Sequence, residues 1–118
     1  MLKKRIIPVE LLINGRLVKT VEFDGFRDVG DPLKSSQVYS DQDADELIFL
    51  NIDRNNRNVK ETANYLKKIT QKCFMPIAVG GGIRTIEDAQ LLFNSGADKI
   101  IINTAAYSNV SLLIEIIN

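Results

Sequence analysis

Pro76-Ile77-Ala78-Val79-Gly80-Gly81-Gly82-Ile83 is the stretch on which the reading of the fold turns. Its first four residues are small or apolar and read as a buried strand, and three consecutive glycines follow. A helix opens directly afterwards at Thr85-Ile86-Glu87-Asp88, and Asn103-Thr104 lies about twenty residues further on. Glycine allows positive φ and leaves no Cβ between backbone and ligand, so the amides of such a loop can converge on an anion. Between strand and helix, the loop can also use the partial positive charge of the helix N-terminus. The expectation is a phosphate cup built from Gly81 and Gly82.

Composition bounds the rest. The chain has 118 residues, 45% hydrophobic and 25% charged, which is ordinary usage for a single globular domain spanning 1–118. Basic and acidic residues number fifteen each, so no global field favours nucleic acid or an anionic membrane. No apolar run approaches the roughly 18 residues of a membrane helix, and Met1-Leu2-Lys3-Lys4-Arg5-Ile6-Ile7-Pro8 lacks the apolar length of a signal peptide. The single Cys73 excludes an intrachain disulfide and, on the apolar side of a predicted helix, reads as a buried structural thiol. A cytoplasmic protein is expected. Histidine is absent, which removes Ser-His and Cys-His catalysis and nearly all zinc sites. No metal and no cofactor is expected, and any acid–base chemistry must come from Asp, Glu, Lys, Tyr or Cys.

Outward from the glycines, the chain reads as strands alternating with helices. Residues 5–12 form a first strand in which Pro8 marks an edge or irregular point. Asn14-Gly15 is a hairpin signal between Leu11-Leu12-Ile13 and Arg16-Leu17-Val18-Lys19-Thr20. A long polar loop is expected through Asp24-Gly25 and Arg27. Asp31-Pro32 then supplies an N-cap and N1 proline for a helix over 32–43. A strand at 46–51 is nearly continuous in apolar residues, as a parallel strand covered on both faces should be. Asn58-x-x-Glu61 starts a helix whose Val59, Ala63, Leu66, Ile69 and Cys73 recur at helical spacing. The helix from Thr85 stops at Gly96, a fourth strand covers 98–103, and a last helix is capped by Ser108. Four βα units imply a parallel sheet with right-handed crossovers. They amount to a small open sheet or half of a (β/α)8 barrel, because a complete barrel needs roughly 200 residues or more.

The residues then match a family. Arg5-Ile6-Ile7, Asn14-Gly15-Arg16, Val18-Lys19, Arg27-Asp28, Gly30-Asp31-Pro32, Asp45-Glu46-Leu47, Val79-Gly80-Gly81-Gly82-Ile83, Gly96-Ala97-Asp98-Lys99 and Ile102-Asn103-Thr104-Ala105-Ala106 resemble the N-terminal half of the cyclase subunit of imidazole glycerol phosphate synthase, an enzyme of histidine biosynthesis. The resemblance covers essentially the whole chain. It implies a (β/α)8 (TIM-type) half barrel of the lyase type that takes ammonia from a glutaminase and cyclises a substrate carrying two phosphates. It also implies that Gly82, Asn103 and Thr104 belong to one phosphate site, where Asn and Thr side chains add donors to the loop amides. A glycine run can alternatively serve only a tight turn, for which one glycine would suffice. Lys19 matches a lysine of the family's mobile active-site loop, although a solvated loop lysine needs no function.

Two departures matter as much as the matches. The family's first strand ends in an aspartate that acts as the acid–base residue, and Leu11 stands there, preceded by Glu10. Adjacent strand residues face opposite ways, so Glu10 cannot replace it without a register shift. A second aspartate of the family is Asn51 here, and an amide cannot take up a proton near neutral pH. No residue of this chain is therefore assigned a catalytic role. Alternation from Leu11 puts Arg5, Ile7 and Val9, then Glu46, Ile48 and Leu50, then Lys99, Ile101 and Asn103, on the barrel interior. Arg5, Glu46 and Lys99 become a charged layer at the strand starts. The resemblance assigns that layer to the ring facing a glutaminase, with Asp98 nearby; a mutually neutralising ion cluster is the plainer reading.

The expected function is phosphate binding by a truncated relative of the cyclase that is inactive alone. Open first and fourth strands would favour a homodimer or a complementing half-barrel chain. Two alternatives remain. One is a synthase subunit completed by a second chain, in the manner of relatives serving sugar amidation in surface-polysaccharide synthesis. The other is a docking partner of a glutaminase.

Overall fold

The computed structural model describes residues 4–13, 16–21, 25–53 and 58–102. Among these residues nine elements follow in order: β1 (Val9–Ile13), β2 (Arg16–Val21), β3 (Gly25–Gly30), α1 (Pro32–Asp41), β4 (Leu47–Asn51), α2 (Val59–Thr70), β5 (Ile77–Gly80), α3 (Ile86–Asn94) and β6 (Lys99–Ile101). They build one six-stranded sheet in the order β3-β2-β1-β4-β5-β6. The run β1-β4-β5-β6 is parallel. This is the expected α/β architecture, a parallel-dominated sheet consistent with part of a TIM-type barrel. Among the described residues no helix is long and apolar enough to cross a membrane.

The elements form where local chemistry directs them. Asp31 caps α1 by accepting the Leu33 amide at 3.0 Å, and Pro32 follows at its first position. Asn58 caps α2 through the Lys60 and Glu61 amides. Glu61 does not reach back to complete the box; its carboxylate accepts the Tyr65 hydroxyl at 3.1 Å. Thr85 and Asp88 do complete a capping box at α3. Cys73 lies just beyond α2 rather than inside it, but its amide still reaches the Ile69 carbonyl at 2.9 Å and its thiol is buried.

One face of the sheet packs against the helices. Leu12, Leu47, Phe49, Ile77 and Val79 meet Val59, Ala63, Leu66 and Ile69 of α2 and Ala89 and Leu92 of α3 in a single core. The opposite face is partly open: Val9 is 53% exposed, and Ile7 and Ile101 are exposed as well. Period-two alternation thus divides β1 between a covered and a more exposed face, whereas β5 is buried along its whole length.

Several expectations are corrected. Residues 25–30 are not loop but a third hairpin strand, paired antiparallel to β2 through Val18↔Asp28, Lys19↔Arg27, Thr20↔Phe26 and Val21↔Gly25. Glycines at both of its ends weaken the intrinsic strand signal, and pairing with β2 supplies what propensity lacks. The first strand starts at Val9 rather than residue 5, because Pro8 has no N–H to extend the ladder, though its carbonyl still accepts the Ile48 amide at 3.0 Å. The outer edge of β1 is not wholly open, since β2 pairs with it at Leu12 and Ile13. Helix α1 ends at Asp41, not residue 43, and Asp43 sits at φ 59 in the left-handed region just after it. The last expected helix, from Ser108, lies outside the described residues.

Candidate phosphate loop and the opposite ion layer

The glycine run leaves β5 at the C-terminal end of the parallel strands and enters α3. Gly81 and Gly82 adopt φ of 103° and 79°. Both values lie in the region glycine reaches without strain. Packing also requires Gly80 and Gly81. A Cβ at Gly80 would sit 2.9 Å from the Ile101 Cβ and 3.0 Å from Leu50 Cδ2, and one at Gly81 would collide with the Asn51 carbonyl oxygen. The inference that a turn alone needs only one glycine is therefore too simple. The helix N-terminus is less open than expected: the Asp88 carboxylate already accepts the Arg84 amide at 3.0 Å and the Thr85 amide at 3.3 Å. The Arg84 and Thr85 amides are thus already taken, and an anion here would have to use other amides of the turn. Asn103 and Thr104, expected to complete the site, lie outside the described residues.

The departures from the family pattern fall where the alternation placed them. Leu11 is half-buried and lies in register with Leu50 on the neighbouring strand. An apolar pair thus stands where a proton-transferring carboxylate would be needed. The Asn51 side chain is engaged locally, its Oδ1 accepting the Asp53 amide at 3.0 Å. Glu10 lies on the helix-covered side of β1, opposite Leu11, and is only 4% exposed beneath α1, where burial pushes its carboxyl above the ordinary range against the opposing pull of the Ser35 and Ser36 hydroxyls. It is unavailable to chemistry on the Leu11 face.

At the strand starts, the expected charged layer is assembled. Glu46, 5% exposed, accepts from Arg5 Nη2 at 3.4 Å and lies 3.2 Å from Lys99 Nζ, so one buried carboxylate is held by two exposed cations. Asp98 is directed to the sheet instead of joining the layer; its carboxylate accepts the Ile77 amide at 2.8 Å. Sequence reasoning overlooked Phe74, which is 90% exposed just before β5 and therefore at this same end of the strands. Its position two residues before a strand-starting proline was the available signal. Lys19 belongs to hairpin strand β2, its backbone paired with Arg27, rather than to a loop.

Comparison with known proteins follows the same lines. A family model described as histidine biosynthesis protein matches residues 5–118. Imidazole glycerol phosphate synthase subunit HisF from Flavobacterium johnsoniae is 44% identical over 113 residues, covering 96% of this chain and 45% of that protein. The proteins of the same name from Staphylococcus saprophyticus and Streptococcus gordonii are 43% and 41% identical, each over 98% of this chain and 46% of their own length. The chain thus spans slightly less than half the length of these curated relatives.

Proposed function

This chain belongs to the histidine biosynthesis protein family, and from that membership we propose that it holds a phosphate-bearing small molecule as half of a cyclase-type (β/α)8 barrel. The observation that carries this is the Gly81-Gly82 turn, left-handed at both residues and placed at the C-terminal strand ends where (β/α) proteins bind ligands. Gly81, Gly82, Asn103 and Thr104 form the phosphate half-site. The chain does not perform the cyclase chemistry alone, because Leu11 and Asn51 offer no carboxylate at the two strand ends where the family resemblance implies one. The exposed Ile7, Val9 and Ile101 are covered in the working assembly by a second copy or by a complementing half-barrel chain.

Calorimetric titration with glycerol phosphate tests the site. Binding that disappears in Gly82→Asp and weakens at least tenfold in Thr104→Ala is expected, and unchanged affinity in both would overturn it. Ammonia-dependent turnover by the pure chain would overturn the non-catalytic reading. Light scattering should find a dimer rather than a stable monomer.

A second reading is favoured by the ion layer and Phe74, which share the end opposite the glycine loop. Exposed cations around a buried carboxylate, beside an exposed aromatic, fit a docking face for a glutaminase subunit. Phe74→Ala and Arg5→Ala should then reduce co-purification with a glutaminase while leaving glycerol phosphate binding intact.

A further inference from the structure

Among the described residues, Glu10 is a buried carboxylate in the layer between sheet and helices with an unpaired oxygen. It projects from β1 on the same side as Leu12, in register with Phe49 of β4, and is covered by α1. Its Oε1 has no hydrogen-bond partner among the described residues. Its Oε2 lies 3.2 Å from the hydroxyl of the fully buried Ser36, and that same hydroxyl lies 2.6 Å from the Pro32 carbonyl oxygen.

A serine hydroxyl has a single proton. The Pro32 carbonyl has none to give, so the short contact of 2.6 Å requires the Ser36 proton. Ser36 Oγ then presents only lone pairs to Glu10. An ionised carboxylate there would set lone pair against lone pair at Oε2 and leave Oε1 uncompensated in an apolar layer, an arrangement that is costly away from water. A proton on Oε2 removes the first fault and lessens the second, because the Oε1 left unpaired is then a neutral carbonyl oxygen and not part of a buried charge. We propose that Glu10 is carried in the native fold as a neutral carboxylic acid, donating to Ser36 Oγ, which in turn donates to the Pro32 carbonyl. This O–H relay fastens β1 to the first turn of α1 and makes their packing sensitive to pH.

The neighbouring groups favour the neutral form. From α1 come the Ser35 and Ser36 hydroxyls; burial outweighs both, and the Ser36 proton is already committed to the Pro32 carbonyl. From β4 comes the apolar Phe49. From the turn after α2 comes the Cys73 thiol, itself pushed up by burial and by the carboxyls of Glu10 and of Asp41 at the end of α1. Glu10 and Cys73 are both acids, so ionisation of one disfavours ionisation of the other, and among the described residues no cation is named as acting on either.

The sign follows from linkage. Glu10 titrates higher when folded than its ordinary value of 4.5, so the native state retains a proton that the unfolded chain releases. Its contribution to stability is complete below that ordinary value and is lost as pH rises through the folded value. Across that window the folded-to-unfolded ratio falls up to tenfold per pH unit, and above it no further loss comes from Glu10.

Two measurements on the whole chain test this. In 13C-labelled protein, the Glu10 carboxyl carbon should retain the chemical shift of a protonated acid at pH values where the exposed glutamates have already ionised. A midpoint at or below 4.5 would overturn the proposal. Urea unfolding at fixed protein concentration, compared between mildly acidic and neutral pH, should show a pH-linked loss that Glu10→Gln abolishes, because the amide can still donate to Ser36 without titrating. An identical pH dependence in the wild type and Glu10→Gln would also overturn it. Should Glu10→Gln fold poorly, the carboxyl titration of the wild type decides alone.

Discussion

Asp98 and Ile77 hold each other by two hydrogen bonds of equal length: the Asp98 carboxylate accepts the Ile77 amide at 2.8 Å, and the Ile77 carbonyl accepts the Asp98 amide at 2.8 Å. The same clamp recurs one strand pair away. The Asp45 carboxylate accepts the Ile6 amide at 2.6 Å, and the Ile6 carbonyl accepts the Asp45 amide at 3.0 Å. Each aspartate stands in an Ala-Asp sequence just ahead of a strand and fastens the entry of the parallel strand beside it. The pairs β1–β4 and β5–β6 are thus joined by one repeated device, which fixes the register of the sheet at its lower rim.

Replacing Asp98 by alanine removes a charge-assisted bond and leaves the Ile77 amide without its acceptor. A loss of about 1.5–3 kcal/mol is expected from urea denaturation. The Asp45 bond is more exposed, so water can substitute for the carboxylate, and Asp45→Ala should cost about 0.5–1.5 kcal/mol.

The ion layer should behave unevenly. Arg5 and Lys99 are each exposed, so either alone can be truncated at a cost of about 0–1 kcal/mol that shrinks in high salt. Truncating both removes the two cations that hold the buried Glu46 carboxylate among the described residues. The double variant should therefore lose more than the sum of the singles, and restoring Glu46→Gln in that background should recover part of the loss.

Gly96 ends α3 at φ 119°, and a Cβ there would collide with Thr70 Cγ2 at the end of α2. Gly96→Ala combines left-handed strain with overlap between two helix ends, for about 2 kcal/mol or more. Thr70→Ser relieves only the overlap, so in the double variant part of the loss should return and the backbone part should remain.

Asp43 offers the opposite case. It occupies the left-handed position after α1, where the Ala44 amide reaches back to the Tyr39 carbonyl at 3.1 Å. Glycine is the residue such a terminus prefers, and Asp43→Gly should raise the thermal midpoint through a gain of about 0.5–1 kcal/mol.

The Cys73 thiol should be inert in the native state. Burial is the main influence holding its pKa above the usual thiol value, and the carboxyls of Glu10 and Asp41 add to it against a weaker pull from the Ser40 hydroxyl. Iodoacetamide at mildly alkaline pH should react slowly with the folded chain and at the rate of a free thiol once urea unfolds it.

The sequence by itself determined the alternation of strands and helices, the three helix starts, the glycine loop and the meeting of Arg5, Glu46 and Lys99. Each of these follows from local chemistry: apolar period, capping side chains, positive φ, and two-residue alternation along a strand. It also placed Leu11 and Asn51 at the strand ends, since a strand direction and a register are enough to do so. Only the tertiary structure decided what depends on a neighbour distant in sequence. The strand Gly25–Gly30 exists because β2 offers it an edge, and its own residues do not announce it. Gly80 and Gly81 are demanded by Ile101, Leu50 and Asn51 as well as by any ligand. Alternation could turn Glu10 away from the Leu11 face, but only the packing of α1 over β1 showed that it meets a serine with no proton left to give.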